Sequence, residues 1–300
     1  MDLKPPFEPQ NKGFKKFYFP SQIIHKHKRA HYQMACANRH HLPGYVWHIT
    51  HRCHKKEFLL KFEKDKKRWI SWLFEAKKRF GLCVLNYTVT SNHIHLMVYD
   101  HKEDVIPKSI QLVAGRTARE YNIRKKRAGA FWEDRYHATA VHTDDHFIRC
   151  LVYIDLNMVR AGVVQHPSQW AFGGYNEIQK PKQRYSIVNR GELAKLLGIN
   201  DDGQMMEVHR QWVEALLKTG SNKRNAQWTE SIAVGYKDFV IETKARLGAK
   251  GVGGKISGEN DQYELREPQI PYSPLFTLEK CGLSDENSYF WDVFHKNSIG

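Results

Sequence analysis

One stretch, Thr90-Ser91-Asn92-His93-Ile94-His95-Leu96-Met97-Val98, constrains this chain more than any other. His93, His95 and Met97 alternate with Ile94, Leu96 and Val98, which is the two-residue period of a strand, so both imidazoles leave the same face of a sheet. Further along, the segment 144–162 reads as a helix in which Tyr153 and Asn157 stand one turn apart on one face. A strand offering two neutral imidazoles and a helix offering a phenol and a carboxamide can meet over one divalent cation.

Periodicity places the remaining elements around that pair. The turn Leu42-Pro43-Gly44 precedes an alternating strand, Tyr45 to His51; a helix runs from Asp65 to Phe80 and stops at Gly81. Leu82 to Thr90 is a second strand, joined by the tight turn Ser91-Asn92 to a third, His93 to Tyr99. A second helix from Pro107 to Arg127 turns Ile110, Val113, Ala114 and Ala118 inward. It carries Arg116 and Arg119 on its basic side, and Ala130 to Val141 is a fourth strand. The order β-α-β-β-α-β predicts an α+β fold, a ferredoxin-like or RRM-like sandwich whose antiparallel sheet has helices on one face and the other free for a site. In the 144–162 helix, Phe147, Leu151, Ile154 and Met158 form the stripe that packs on the sheet. His146, Arg149, Tyr153, Asn157 and Arg160 lie on the opposite arc. Asp155 falls within the apolar stripe and needs a buried or edge partner that the sequence does not name.

Three segments are expected: a basic arm over 1–43, a domain over 44–180, and a mainly helical C-terminal extension over 181–300 with an irregular end. The extension is read as short helices, Ser231 to Leu247 among them, followed by a glycine-rich loop from Gly248 to Gly258. That loop is not a phosphate loop, because Ala249 and Ile256 stand where the pattern demands glycine and a hydroxyl. The charge is unevenly spread. Residues 1–180 hold 31 Lys+Arg against 16 Asp+Glu, whereas 181–300 hold 16 of each, so the whole net charge of +15 lies on the part with the motifs. A polyanionic partner is implied. Lys26, Lys28 and Arg29 in the arm, with Arg116 and Arg119, are the expected nucleic-acid contacts. Five cysteines without a Cys-x-x-Cys pair suggest neither disulfides nor a cysteine zinc site. No apolar run approaches the ~20 residues of a membrane span, and the expectation is a cytoplasmic, nucleoid-associated protein, monomeric or homodimeric.

Asn92-His93-Ile94-His95-Leu96-Met97-Val98 resembles the histidine-hydrophobic-histidine motif of the IS200-like single-tyrosine transposases. Tyr153-Ile154-Asp155-Leu156-Asn157-Met158-Val159-Arg160-Ala161-Gly162-Val163-Val164 resembles their tyrosine helix, most of all that of the REP-associated tyrosine transposases. The resemblance spans roughly residues 40–180. It implies that His93 and His95 bind the metal with Asn157 as third ligand, that the metal is Mg²⁺ or Mn²⁺, and that Tyr153 is the nucleophile that takes the 5′ phosphate of a cut strand. It also implies a substrate of single-stranded DNA folded into a hairpin. Met158 and Ser91 depart from the prolines common at those two positions.

Two other readings stand beside this one. The same sandwich can present aromatic residues to single-stranded nucleic acid without cutting it. A zinc hydrolase built on His51, His93 and His95 would need an acidic general base that the sequence does not offer nearby.

Overall fold

The structure is a computed structural model that describes residues 41–220, 224–248, 253–259 and 261–267. Lys26, Lys28 and Arg29 of the basic arm, and the irregular end beyond residue 267, lie outside the described residues. The elements in chain order are β1 (Val46–Arg52), α1 (Glu63–Phe80), β2 (Cys83–Val89), β3 (His93–Tyr99), α2 (Val105–Arg124) and β4 (His137–Val141), then α3 (Asp145–Asp155) and α4 (Asn157–Arg160). They continue with α5 (Tyr175–Gln179), α6 (Arg190–Leu196), α7 (Asp202–Thr219), α8 (Gln227–Glu230), β5 (Ala233–Gly235), α9 (Lys237–Arg246), β6 (Lys255–Glu259) and β7 (Gln262–Arg266). The α+β class and the β-α-β-β-α-β order of the first part follow the periodicity of the sequence. Gly81 ends α1 in the left-handed conformation at φ 74°, its N–H donating to the Lys77 carbonyl at 2.9 Å.

Among the described residues the sheet has seven strands in the order β2-β3-β1-β4-β5-β7-β6. The four strands read from sequence are antiparallel to one another, and the three outer ones come from the extension. β5 runs parallel to β4 through Ala140–Ala233 and Val141–Val234, so part of the segment expected as a single helix is strand. Lys255–Glu259, expected within a glycine-rich loop, pairs antiparallel with Gln262–Arg266. β4 is also shorter than expected: residues 130–136 are irregular, and Trp132 forms an isolated bridge to Cys53 just beyond β1.

Register divides the central sheet into two unlike faces. His48 pairs with Met97 and Thr139, and Thr50 with His95 and His137, while Thr88 pairs with His95 across β2–β3. These side chains share one face, because directly opposed residues point the same way. On the other face Ile49 opposes Leu96 and Ala138, and Trp47 opposes Val98 and Ala140. That apolar set joins Trp69, Leu73 and Ala76 of α1 and Ile106, Ile110 and Val113 of α2 in the main core.

The polar face is covered rather than free. Helix α3 lies across it: Thr88 donates through Oγ1 to the Ile154 carbonyl at 3.1 Å, and Asn86 donates through Nδ2 to the Leu151 carbonyl at 3.2 Å. The expected 144–162 helix is interrupted at Leu156, which has φ −78° and ψ 4°. Its supposed solvent arc is also buried in part, Tyr153 being 8% and His146 2% exposed, because the extension covers it. Val152, Leu156 and Tyr175 form a second apolar cluster with Val213 of α7.

Candidate catalytic centre

An opening of about 660 Å³ at the end of the polar face is lined by His93 and His95 from β3, Tyr153 from α3 and Asn157 from α4. The four side chains singled out by the two motifs therefore come together within one chain. The rings of His93 and His95 lie 5.1 Å apart at 82°, and the Tyr153 ring lies 5.9 Å from His95. Asn157 Nδ2 is 2.9 Å from His95 Nε2.

Both histidines have Nδ1 engaged within the fold, and the Nε2 of His95 meets Asn157 Nδ2. For His93, Asn92 Oδ1 at 2.7 Å and Thr90 Oγ1 at 3.0 Å receive the Nδ1–H; the Thr90 hydroxyl spends its own proton on the His93 carbonyl at 2.8 Å. For His95 the partner of Nδ1 is His48 Nε2 at 2.9 Å. His48 Nδ1 in turn lies 2.8 Å from the carbonyl oxygen of Trp228, in α8. Burial and neighbouring cations keep these rings neutral. Burial, then the charges of Arg52, Arg160 and Arg224, lower His93 to about 4. Burial first, then His48 and His93, holds His95 well below the ordinary value. His48, fully buried, is lowered to about 3. Two neutral imidazoles with Nδ1 already engaged, and a carboxamide, form a donor set suited to a divalent cation.

Tyr153 packs under a guanidinium. The Arg160 carbon centre lies 3.8 Å from the phenol ring, and its Nη2 donates to the Tyr153 carbonyl at 2.8 Å. Burial raises the Tyr153 pKa and the Arg160 charge opposes the rise, so the phenol is protonated at neutral pH. Arg52, Lys56, Arg135, Arg160 and Arg224 line the opening against the two carboxylates Glu133 and Asp134, which suits a polyanion.

His51 also borders the opening, but from the other face of the sheet. It opposes Ile94 and so leaves the apolar face, where it stacks on Trp132 at 4.0 Å, with its Nε2 2.9 Å from the Asp134 carbonyl oxygen. A triad of His51, His93 and His95 is excluded by that register. Arg116 and Arg119 are not brought to the opening; they are exposed on α2, with Arg116 5.4 Å from the Trp72 ring.

Sequence reasoning missed His48, Trp228 and Arg224. His48 was accessible in principle, because it alternates in phase with Thr50 between apolar Trp47 and Ile49. Trp228 acts through its backbone carbonyl, which no residue type encodes. A second group, His142, Asp144 and His146, has ligand atoms within 4.8 Å of one another and could hold a metal ion. Asp144 there caps α3, accepting from the His146 N–H at 2.9 Å and from both imidazoles.

Residues 42–157 match the family model described as "Transposase IS200 like", an interval that contains His93, His95 and Tyr153 and ends on Asn157. A REP-associated tyrosine transposase bound to a REP hairpin aligns at 16% identity over 51% of this chain and 90% of its own, with a TM-score of 0.40. A candidate transposase from Deinococcus radiodurans R1 aligns at 17% identity over 34% of this chain and 82% of its own, with a TM-score of 0.27. No curated protein matches the chain. Among the described residues no helix is long and apolar enough to cross a membrane.

Proposed function

We propose that the IS200-like transposase domain carried by residues 42–157 is a metal-dependent nuclease and strand transferase of single-stranded, hairpin-forming DNA, with Tyr153 as its nucleophile. The observation that carries this reading is the convergence of His93, His95, Tyr153 and Asn157 on one cation-lined opening. His93 and His95 would hold Mg²⁺ or Mn²⁺ through Nε2, with Asn157 turning its Oδ1 inward. Bound there, the ion supplies Lewis-acid polarisation of the scissile phosphate.

The chain's own groups do the rest. Arg52, Arg160 and Arg224 draw the phosphate into the opening and neutralise it. The phenolic oxygen of Tyr153 attacks phosphorus, a Tyr–O–P bond forms, the P–O3′ bond breaks, and the 3′ oxygen leaves as a hydroxyl. The phenolic proton passes to solvent through the open side of the site, and a solvent proton completes the 3′ hydroxyl. Because the ester keeps the phosphate activated, a second 3′ hydroxyl can reverse the step and join strands without ATP. Arg116 and Arg119 on α2 serve as backbone contacts away from the opening, and Lys26, Lys28 and Arg29 of the arm serve as further backbone contacts.

The test is incubation of the purified chain with end-labelled single-stranded hairpin DNA and Mn²⁺ or Mg²⁺. Strand cleavage that needs the metal supports the reading. Salt-sensitive binding with the DNA left intact instead supports a non-catalytic nucleic-acid binder on the same fold.

A further inference from the structure

We infer that His48 is a positioning residue of this centre: held by the Trp228 carbonyl, it fixes His95 in the tautomer that presents Nε2 to the opening. The inference rests on the functional reading above, since it gives His48 its purpose there, but the hydrogen-bond chain behind it is independent of that reading.

The proton assignment follows from what each partner can do. A carbonyl oxygen only accepts, so His48 Nδ1 carries the hydrogen shared with Trp228 at 2.8 Å. A neutral ring then has a bare Nε2, which only accepts, so the hydrogen at the 2.9 Å contact belongs to His95 Nδ1. His95 Nε2 is left as a lone pair, and Asn157 Nδ2 donates to it in the absence of a cation. His48 has both nitrogens engaged, is fully buried and does not line the opening, so it is no ligand itself. The ring centroids are 5.1 Å apart and the planes differ by 11°, so the two imidazoles are nearly coplanar along the hydrogen bond, which fixes the plane of His95 as well as its tautomer.

The anchor lies in the C-terminal extension. Trp228 is in α8, and the α8 end is tied to β4 by Thr139, whose Oγ1 donates to the Ser231 carbonyl at 2.7 Å. The extension thus completes a centre whose ligands all lie within the matched segment. A buried carbonyl–imidazole–imidazole chain does here what a carboxylate–imidazole pair does at other metal centres.

The experiment measures the His95 tautomer and Mn²⁺ affinity separately. Long-range ¹H–¹⁵N spectra of the metal-free full-length protein should show His95 protonated at Nδ1; protonation at Nε2 overturns the inference with no variant needed. Mn²⁺ binding, read by the loss of free-ion electron paramagnetic resonance signal, should weaken about tenfold in His48→Leu. His48→Gln, whose Oε1 can accept from His95, should recover part of that loss. His48→Leu binding as tightly as wild type overturns the inference. His95→Ala separates the two readings: if it binds Mn²⁺ like wild type, the metal centre itself is misplaced, whatever His48 does.

Discussion

Asp155 Oδ2 and His209 Nε2 lie 2.8 Å apart with both side chains sealed from solvent, joining the residue midway between Tyr153 and Asn157 to helix α7 of the extension. The other carboxylate oxygen accepts from Asn86 Nδ2 at 2.9 Å, and His209 Nδ1 meets Gln179 Nε2 at 2.9 Å. This is the partner that Asp155 required on the apolar stripe. The pair fixes the turn of helix that carries the nucleophile.

Removing one member leaves the other buried without its partner. His209→Leu should therefore cost about 3 kcal/mol of stability in urea unfolding. Because Asp155→Leu combined with His209→Leu removes both polar groups, the double variant should be more stable than the sum of the single losses predicts. Additive losses would mean that the pair is not coupled.

Gly174 sits where the chain crosses the bulge in β2. A Cβ there would press into Asn86 Oδ1 and come within 3.2 Å of the Tyr87 nitrogen. Asn86 cannot swing aside, since it is bonded to Asp155 and to the Tyr87 N–H. Gly174→Ala should lower stability by about 1–3 kcal/mol, the usual range for overpacking. An unchanged melting temperature would show that the loop yields.

Acid should destabilise the fold before its carboxylates titrate. Burial lowers His51 to about 4 and His48 to about 3, against 6.5 for an unfolded histidine. Between those values the unfolded chain binds more protons than the native one, so stability is full above about pH 6.5 and falls as pH drops toward 3 to 4. A melting temperature that is flat from pH 7 to pH 4 would contradict the neutral, buried state of these rings.

Arg160 stacks on the Tyr153 ring and lines the opening, so it bears on both nucleophile and phosphate. Arg160→Ala should slow strand cleavage about tenfold, or about 1.4 kcal/mol of barrier, measured in single-turnover assays with protein in excess. Cleavage at the wild-type rate would leave Arg160 a packing residue only.

What could be read from sequence was local. Two-residue alternation gave β1 and β3 with the phase of His93 and His95, and helical spacing gave α1, α2 and the shared face of Tyr153 and Asn157. What could not be read is remote or carried by backbone. His209 lies in a separate helix from Asp155, with no pattern linking them. β5 pairs with β4 through only two residues, too few for periodicity to register. Trp228 contributes a carbonyl that any residue would supply.

The central claim is tested most directly by trapping the covalent ester. Labelled single-stranded hairpin DNA is incubated with the protein and Mn²⁺, then resolved on a denaturing gel. The account predicts a protein–DNA band with the wild-type chain and none with Tyr153→Phe, which keeps the ring packed against Arg160 and should melt like wild type. An adduct that survives Tyr153→Phe, or cleavage without any adduct, would contradict it.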